Sequence, residues 1–557
     1  MSGPAESAAL VPSERAFLAA PDAPQGIVDR LVSWAGDRVN PILVKETRQA
    51  LQSRQFTITF SLVLICGWGW SMLGPAILGP EIRYIPKGTE MFLGYYILVA
   101  FPLLVIVPFG AMRSLLGELE ERTYELISIS TLNPRQIISG KLASTGLQML
   151  IYLSAITPCL AFTYLLRGID ILTILMPVLI TALASLGLSA ACLLAATLST
   201  EKHWQVVLSV IVVIGLLLAW WAAVVFSVST VEYAGSEFSQ PEFWHGLAIF
   251  LANYAGYFLL VFYAAAARLT FPSENRSTRL RAIMLLEHAI LVGSFAWGWL
   301  GPGLREPALL VFLVILLGQH WYALGALMTC ESPALSLRVR RRLPQSFLGR
   351  ALGTWFNPGP GTGYVFAVSG MLGLMLVVWI GARFDSLAAP AVVTAGPRGL
   401  TSVKGPYVVG TAVLMLSYVT FYLGLGLLLI RFVRRFIPVG MLVGVLLHVV
   451  LLLTGTLLPL VIQLSSPTLY NEVYSNLQIT NPFWTIYAVP VHWSILSGYD
   501  LVWVLVPLMA ILVFCANLPG AARELRAVRV AKPQRVAEED AALAAPRVPV
   551  RTGPWDA

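Results

Sequence analysis

Long apolar runs separated by short polar, Gly- and Pro-bearing stretches dominate the chain from Phe56 onward. A helix needs about 20 mostly apolar residues to cross the hydrocarbon of a bilayer. Twelve runs meet that length: Phe56–Gly79, Phe92–Met112, Thr145–Leu166, Ile171–Leu198, Gln205–Ser229, Gly246–Ala267, Ile283–Gly301, Pro307–Thr329, Thr362–Ala382, Pro406–Arg431, Ile437–Gln463 and Asp500–Leu518. A further stretch, Asn481–Leu496, is apolar but aromatic and interrupted by Pro490, and is read as interfacial or re-entrant. The pattern predicts an all-α polytopic membrane protein of about twelve transmembrane helices, arranged as two six-helix halves.

Composition agrees. Of 557 residues, 57% are hydrophobic and only 12% are charged, about half the charge of a soluble domain. The net charge of +8 raises the question of nucleic acid, but the placement of the basic residues answers it. With the N-terminus inside, the cytoplasmic loops hold 17 Lys and Arg and the outer loops 7, with 6 and 7 in the tails. That is the positive-inside signature, so no nucleic-acid partner is expected, and both termini are expected in the cytosol of a multi-pass protein.

Domain expectations follow from the same pattern. Residues 1–39 read as a disordered cytoplasmic tail, 40–55 as an amphipathic interfacial helix, and 56–267 as a six-span half with a cytoplasmic loop at 113–144. Residues 283–518 form a second six-span half, diverged or accessory, and 519–557 a second cytoplasmic tail. No signal peptide is read at the N-terminus, because the first 37 residues have no apolar core segment. Cys66, Cys159, Cys192, Cys330 and Cys515 are scattered singly, without metal-ligand spacing or a readable disulfide framework.

Two polar segments carry candidate chemistry. Ahead of the first span, Asn40 is a suitable N-cap and Pro41 a suitable first helical residue. Leu43, Thr47, Ala50 and Leu51 then share one face, and Lys45, Arg48 and Gln52 the other. Such a basic amphipathic helix suits the lipid head-group layer, either as a plain anchor or as part of a mechanism. Between spans two and three, Leu115, Leu119 and Leu126 recur at helical spacing, while Glu118, Glu121, Arg122 and Glu125 lie three or four apart on another face. Ser130–Leu132 breaks that helix and Asn133-Pro134 caps the next. The loop is either a plain solvated segment or an element on which a soluble partner pushes.

These residues resemble a family. Asn40-Pro41 followed by Lys45-Glu46, then Glu120-Glu121-Arg122-Thr123-Tyr124-Glu125-Leu126-Ile127 and Leu132-Asn133-Pro134-Arg135-Gln136-Ile137-Ile138-Ser139-Gly140-Lys141, are similar to the permease subunit of ATP-binding-cassette exporters of the type-2 permease family. The resemblance covers about Asn40–Leu166, lacks the family's glycine before Thr123, and concerns a six-span subunit of roughly half this length. It implies that Glu120–Ile129 is a coupling helix that docks on an ATPase, with Glu118, Glu120, Glu121, Arg122, Thr123, Glu125, Asn133 and Pro134 as coupling residues. Asn40–Phe56 would be the connecting helix, with Asn40, Pro41, Lys45, Glu46 and Arg48. It also implies a cell (inner or plasma) membrane, a homodimer or second permease as partner, and an exported substrate from a range that includes lipids, polysaccharides, drugs and peptides. In the second half, 330–361 carries five arginines against the single acid Glu331 and gives no recognisable copy of the acidic loop.

The chain has no ATP site of its own. A phosphate-cradling loop needs Gly-x-x-x-x-Gly-Lys-Ser/Thr, but Leu142 follows Gly140-Lys141 and Arg135 stands where the first glycine belongs. ATP and Mg are therefore expected on a partner ATPase, with no cofactor, metal or catalytic residue on this chain and no enzymatic activity of its own. Glu287, His288 and His320 lie inside predicted spans and are candidates for a translocation path or proton relay. At about 1.5 Å per residue Glu287 is about 6 Å deep and His320 about 13 Å. The bland reading has Glu287 snorkelling to the head groups beside Arg279 and Arg281, and His448 bonded to a carbonyl. Two rivals remain: a major-facilitator-like secondary carrier, whose Asp-Arg-x-Gly-Arg-Arg loop is absent after span two, and a polytopic enzyme acting on lipid-linked substrates, for which no acid–base pair is evident.

Overall fold

A computed structural model describes residues 40–79, 84–121, 123–124, 132–198, 201–271, 273–300, 307–332, 335–341, 346–386, 395–396, 399–400, 405–467, 474–491, 500–526 and 533–544. In chain order the helices are α1 (Pro41–Leu51), α2 (Arg54–Leu78), α3 (Gly88–Glu120), α4 (Pro134–Leu165), α5 (Ile171–Ala196), α6 (Lys202–Glu237), α7 (Pro241–Leu269), α8 (Thr278–Leu300) and α9 (Pro307–Thr329). Two short helices follow, α10 (Leu337–Arg341) and α11 (Phe347–Thr354), then α12 (Pro360–Ser386), α13 (Gly405–Val433), α14 (Met441–Ser465), α15 (Pro482–Val491), α16 (Asp500–Leu525) and α17 (Gln534–Ala544). Among the described residues the one β pairing joins Ala395–Gly396 to Gly399–Leu400. Twelve helices are long and apolar enough to cross a membrane, so the protein is an all-α polytopic membrane protein.

The helices start where local chemistry dictates. Asn40 Oδ1 accepts from Ile42 N at 3.0 Å, and Pro41 loses nothing by lacking an N–H in the first turn. Ser53 Oγ accepts from Phe56 N at 3.1 Å, which separates α1 from α2. Ahead of α4, Asn133 N donates to Gln136 Oε1 at 2.9 Å. Pro102 opens a π turn inside α3, Pro102–Ile106, where a proline leaves the helical ladder incomplete. Ser185 of α5 donates to the Leu103 carbonyl in that turn at 2.6 Å.

Consecutive spans run antiparallel, so α1, the end of α3 and the start of α4 share one end of the bundle, here called proximal. Tyr124 donates to Leu269 O at 2.8 Å and Arg268 to Thr197 O at 3.1 Å, which brings the ends of α5 and α7 to the same side. At the opposite, distal end the turn before α5 needs positive φ at Arg167 (62°) and Gly168 (86°). Its carbonyls accept from Gly88 N at 3.0 Å and Thr89 Oγ1 at 3.1 Å.

Among the described residues the core has three parts: two in the first half, one of them around Met112, Leu115, Ile138 and Leu193, and one in the second half that also takes in Leu260 of α7. Phe92, Tyr95, Tyr96 and Tyr152 centre the other cluster of the first half, and Trp321, Tyr364, Met371, Tyr418 and Leu423 that of the second half. The halves meet where α7 packs on α8. α13 is the most enclosed span, with 67% of its apolar window buried, whereas α6 is on the outside with 6%.

Within 330–361 the described residues include the short helices α10 and α11. Of the stretch Asn481–Leu496 the described part, up to Val491, forms the ten-residue α15, which follows a 3-10 turn at Asn476–Thr480 and at about 1.5 Å per residue is by itself too short to span. It packs against α13 and α14 through a buried polar cluster. Gln478 Nε2 and Ser475 Oγ donate to Gln463 Oε1 at 2.9 and 2.8 Å, and Asn481 Nδ2 donates to Gln478 Oε1 at 2.8 Å. Residues 1–39 and 492–499 lie outside the described residues.

Candidate functional site

At the proximal end of the first half, four charges alternate in sign. Lys141 of α4 has a side chain only 1% exposed. Its Nζ donates to Glu46 Oε1 of α1 at 2.9 Å and to Ser114 Oγ of α3 at 3.2 Å, and stands 3.1 Å from Glu118 Oε2 as an ion contact. Lys45 Nζ donates to Glu118 Oε1 at 2.7 Å and lies 3.7 Å from Glu46 Oε1. Two cations and two carboxylates cancel, which is the condition for holding charge inside a packed joint. Burial works to lower the Lys45 pKa, but the hydrogen bond and charge of Glu118, then those of Glu46, outweigh it and raise the value.

Backbone shape makes the joint close. A side chain at Gly140 would stand 2.9 Å from Ile42 Cβ, so glycine lets α1 lie directly on α4. Asn40 Nδ2 adds a bond to Gln136 O at 2.5 Å. The Gly140-Lys141 pair, which cannot cradle phosphate, serves this contact.

The residues expected at a coupling surface divide. Glu118 faces into the joint and not toward the loop tip. Glu120 and Glu121 are exposed at the end of α3, Thr123 Oγ1 donates to Glu118 O at 3.3 Å, and Asn133 and Pro134 open α4. Arg48 is exposed on α1. Arg122, Glu125 and 126–131 lie outside the described residues, and with them most of the expected coupling helix.

A second polar joint, not anticipated from sequence, closes the proximal end of the second half. Arg281 of α8 is fully buried. It donates to Glu331 Oε2 at 2.7 Å, Trp355 O at 2.6 Å, Gly359 O at 3.1 Å and Thr362 Oγ1 at 3.2 Å. Glu331 also accepts from Ser277 Oγ at 2.6 Å and Gly359 N at 2.7 Å. Glu524 of α16 accepts from Gly361 N and Thr362 N at 2.9 and 2.8 Å, where the first turn of α12 has donors to spare. The one legible signal was that Glu331 is the single acid in a basic loop.

The intramembrane candidates gather at the seam between halves, but not as an acid–histidine pair. Glu287 of α8 does not snorkel: it is fully buried, and neither carboxylate oxygen has a hydrogen-bond partner. It lies against Gly256 of α7, where a Cβ would collide with its Oε2. His288 Nδ1 accepts from Trp321 Nε1 at 3.0 Å, and His320 Nδ1 bonds the Tyr257 hydroxyl at 2.9 Å. Arg281, the expected neighbour of a snorkelling Glu287, is spent on Glu331. His448 Nε2 bonds the Thr329 hydroxyl at 2.8 Å, not a carbonyl. Among the described residues no group of three or more His, Cys, Asp and Glu could hold a metal ion.

No family model, no curated protein and no solved structure matches the chain. What the fold defines is the class: a multi-pass, all-α membrane protein of transporter-like build.

Proposed function

We propose that the chain is the permease subunit of an ABC exporter, lying in a cell membrane with its proximal end and both termini in the cytosol. A separate ATPase subunit binds ATP and Mg and drives it; this chain does no chemistry. The observation that carries the reading is the Lys45–Glu118–Lys141–Glu46 joint. It ties α1 to the ends of α3 and α4, the two spans that flank the loop resembling a coupling helix. A push on that loop then moves three helices together, because buried ion pairs and a close-packed contact resist independent motion.

The test is co-purification. An ATPase with a Walker A motif is expected to accompany the wild-type chain, and Glu121→Lys with Glu125→Lys is expected to reduce its recovery at equal expression. Charge pairs across an interface contribute on the order of 1.5 kcal/mol or more each. Unchanged recovery, or no ATPase at all, removes the reading.

One observation favours a second reading, a proton-coupled secondary carrier: the unpartnered Glu287 carboxyl beside the Tyr257–His320 pair. Uptake into vesicles driven by a pH gradient without ATP, and lost in Glu287→Gln, would select it.

A further inference from the structure

We infer that the cleft between the proximal parts of α3 and α6 is a binding site for one anionic phospholipid. The cleft has a volume of about 520 Å³, within the usual range of about 300–1,000 Å³ for small-ligand sites. Arg113, Lys202 and Glu120 stand at its polar mouth, and Phe109, Val206 and Val210 line its apolar walls. This is the shape of an amphiphile: charge at one end and hydrocarbon along the rest.

The placement fits a lipid. Arg113 ends the second apolar run and Lys202 begins the fifth, so both lie at the boundary between hydrocarbon and water. Trp204 sits beside Lys202, its ring packed 5.5 Å from that of His203, and tryptophan is the residue enriched at that boundary. The cleft opens on α6, the least covered span, with Val206 64% and Val210 54% exposed. Among the described residues no salt bridge engages Arg113, Lys202 or Glu120. Two cations can share one phosphate, while Glu120 accepts from a head-group hydroxyl. The net positive mouth selects an anionic head group, as basic pockets between membrane helices do. Neither the membrane orientation nor the ATPase enters this inference.

The experiment is native mass spectrometry of the full chain released from vesicles of phosphatidylglycerol and phosphatidylcholine in equal parts. One phosphatidylglycerol is expected to stay bound. Arg113→Ala with Lys202→Ala should weaken retention about thirtyfold, the loss of two interfacial cations. Ser209→Trp should weaken it strongly with both cations in place, because the indole obstructs the apolar part of the cleft. Arg435→Ala, an exposed proximal cation elsewhere, should change nothing. Equal melting temperatures in lipid-free detergent verify folding; if the double variant fails that check, Ser209→Trp and Lys202→Gln decide. Equal retention of phosphatidylcholine, retention unaffected by the cleft variants, or efficient disulfide formation between two copies of Val210→Cys would overturn the inference, the last by placing a second chain over the cleft.

Discussion

Lys141 of α4 and Glu46 of α1 form a buried ion pair of 2.9 Å across 95 positions of sequence. Because Glu118 of α3 reaches the same lysine at 3.1 Å, one side chain sets the spacing of three helices. The interfacial helix is thereby part of the bundle and not a loose anchor.

Lys141→Met should therefore cost about 3–5 kcal/mol, because it leaves two carboxylates in the joint with Lys45 as their one remaining cation, and so one negative charge uncompensated. Adding Glu46→Gln should recover most of that loss, since Lys45 and Glu118 then remain as one balanced pair at 2.7 Å. Thermal melting in detergent reads both; a Lys141→Met protein as stable as the wild type would mean the joint is not formed.

Lys45 makes the joint sensitive to alkali. Its folded pKa is raised above the ordinary 10.5, so its stabilisation is complete below the unfolded value and is lost as pH rises through the folded one. The melting-temperature gap between wild type and Lys45→Met should stay constant between about pH 7 and 9 and close above about pH 10.5. The gap should be small, because the Lys45 side chain is 53% exposed. A gap that widens with pH would contradict the pairing.

At the seam, Gly256→Val should destabilise by about 1–3 kcal/mol through overpacking against Glu287. Glu287→Leu should stabilise, since it removes two buried oxygens that have no partner. If Glu287→Leu melts lower than wild type, the carboxyl has a stabilising contact that this arrangement lacks.

The proposed orientation, with the proximal end in the cytosol, is tested by cysteine labelling in sealed cells, in a cysteine-free background. A cysteine at the exposed, distal Glu242 should react from outside, and one at the exposed, proximal Leu348 should be protected. The reverse at either site would refute the positive-inside assignment.

The twelve spans were legible in the chain itself, because crossing hydrocarbon demands a run of apolar residues whatever lies beside it. The starts of α1 and α4 were legible for the same kind of reason: Asn40-Pro41 and Asn133-Pro134 are local cap chemistry. The partners of the buried charges were not. Glu118 reads in sequence as one of several acids on a solvated helix, and only the fold turns it toward Lys45 and Lys141. Glu287 reads in sequence as an acid snorkelling to the head groups beside Arg279 and Arg281, yet the fold commits Arg281 to Glu331 and buries Glu287 against Gly256. Apolar run length is a property of one segment, whereas a charge's partner depends on which helices come to lie side by side, and that is decided by packing among segments far apart in the chain.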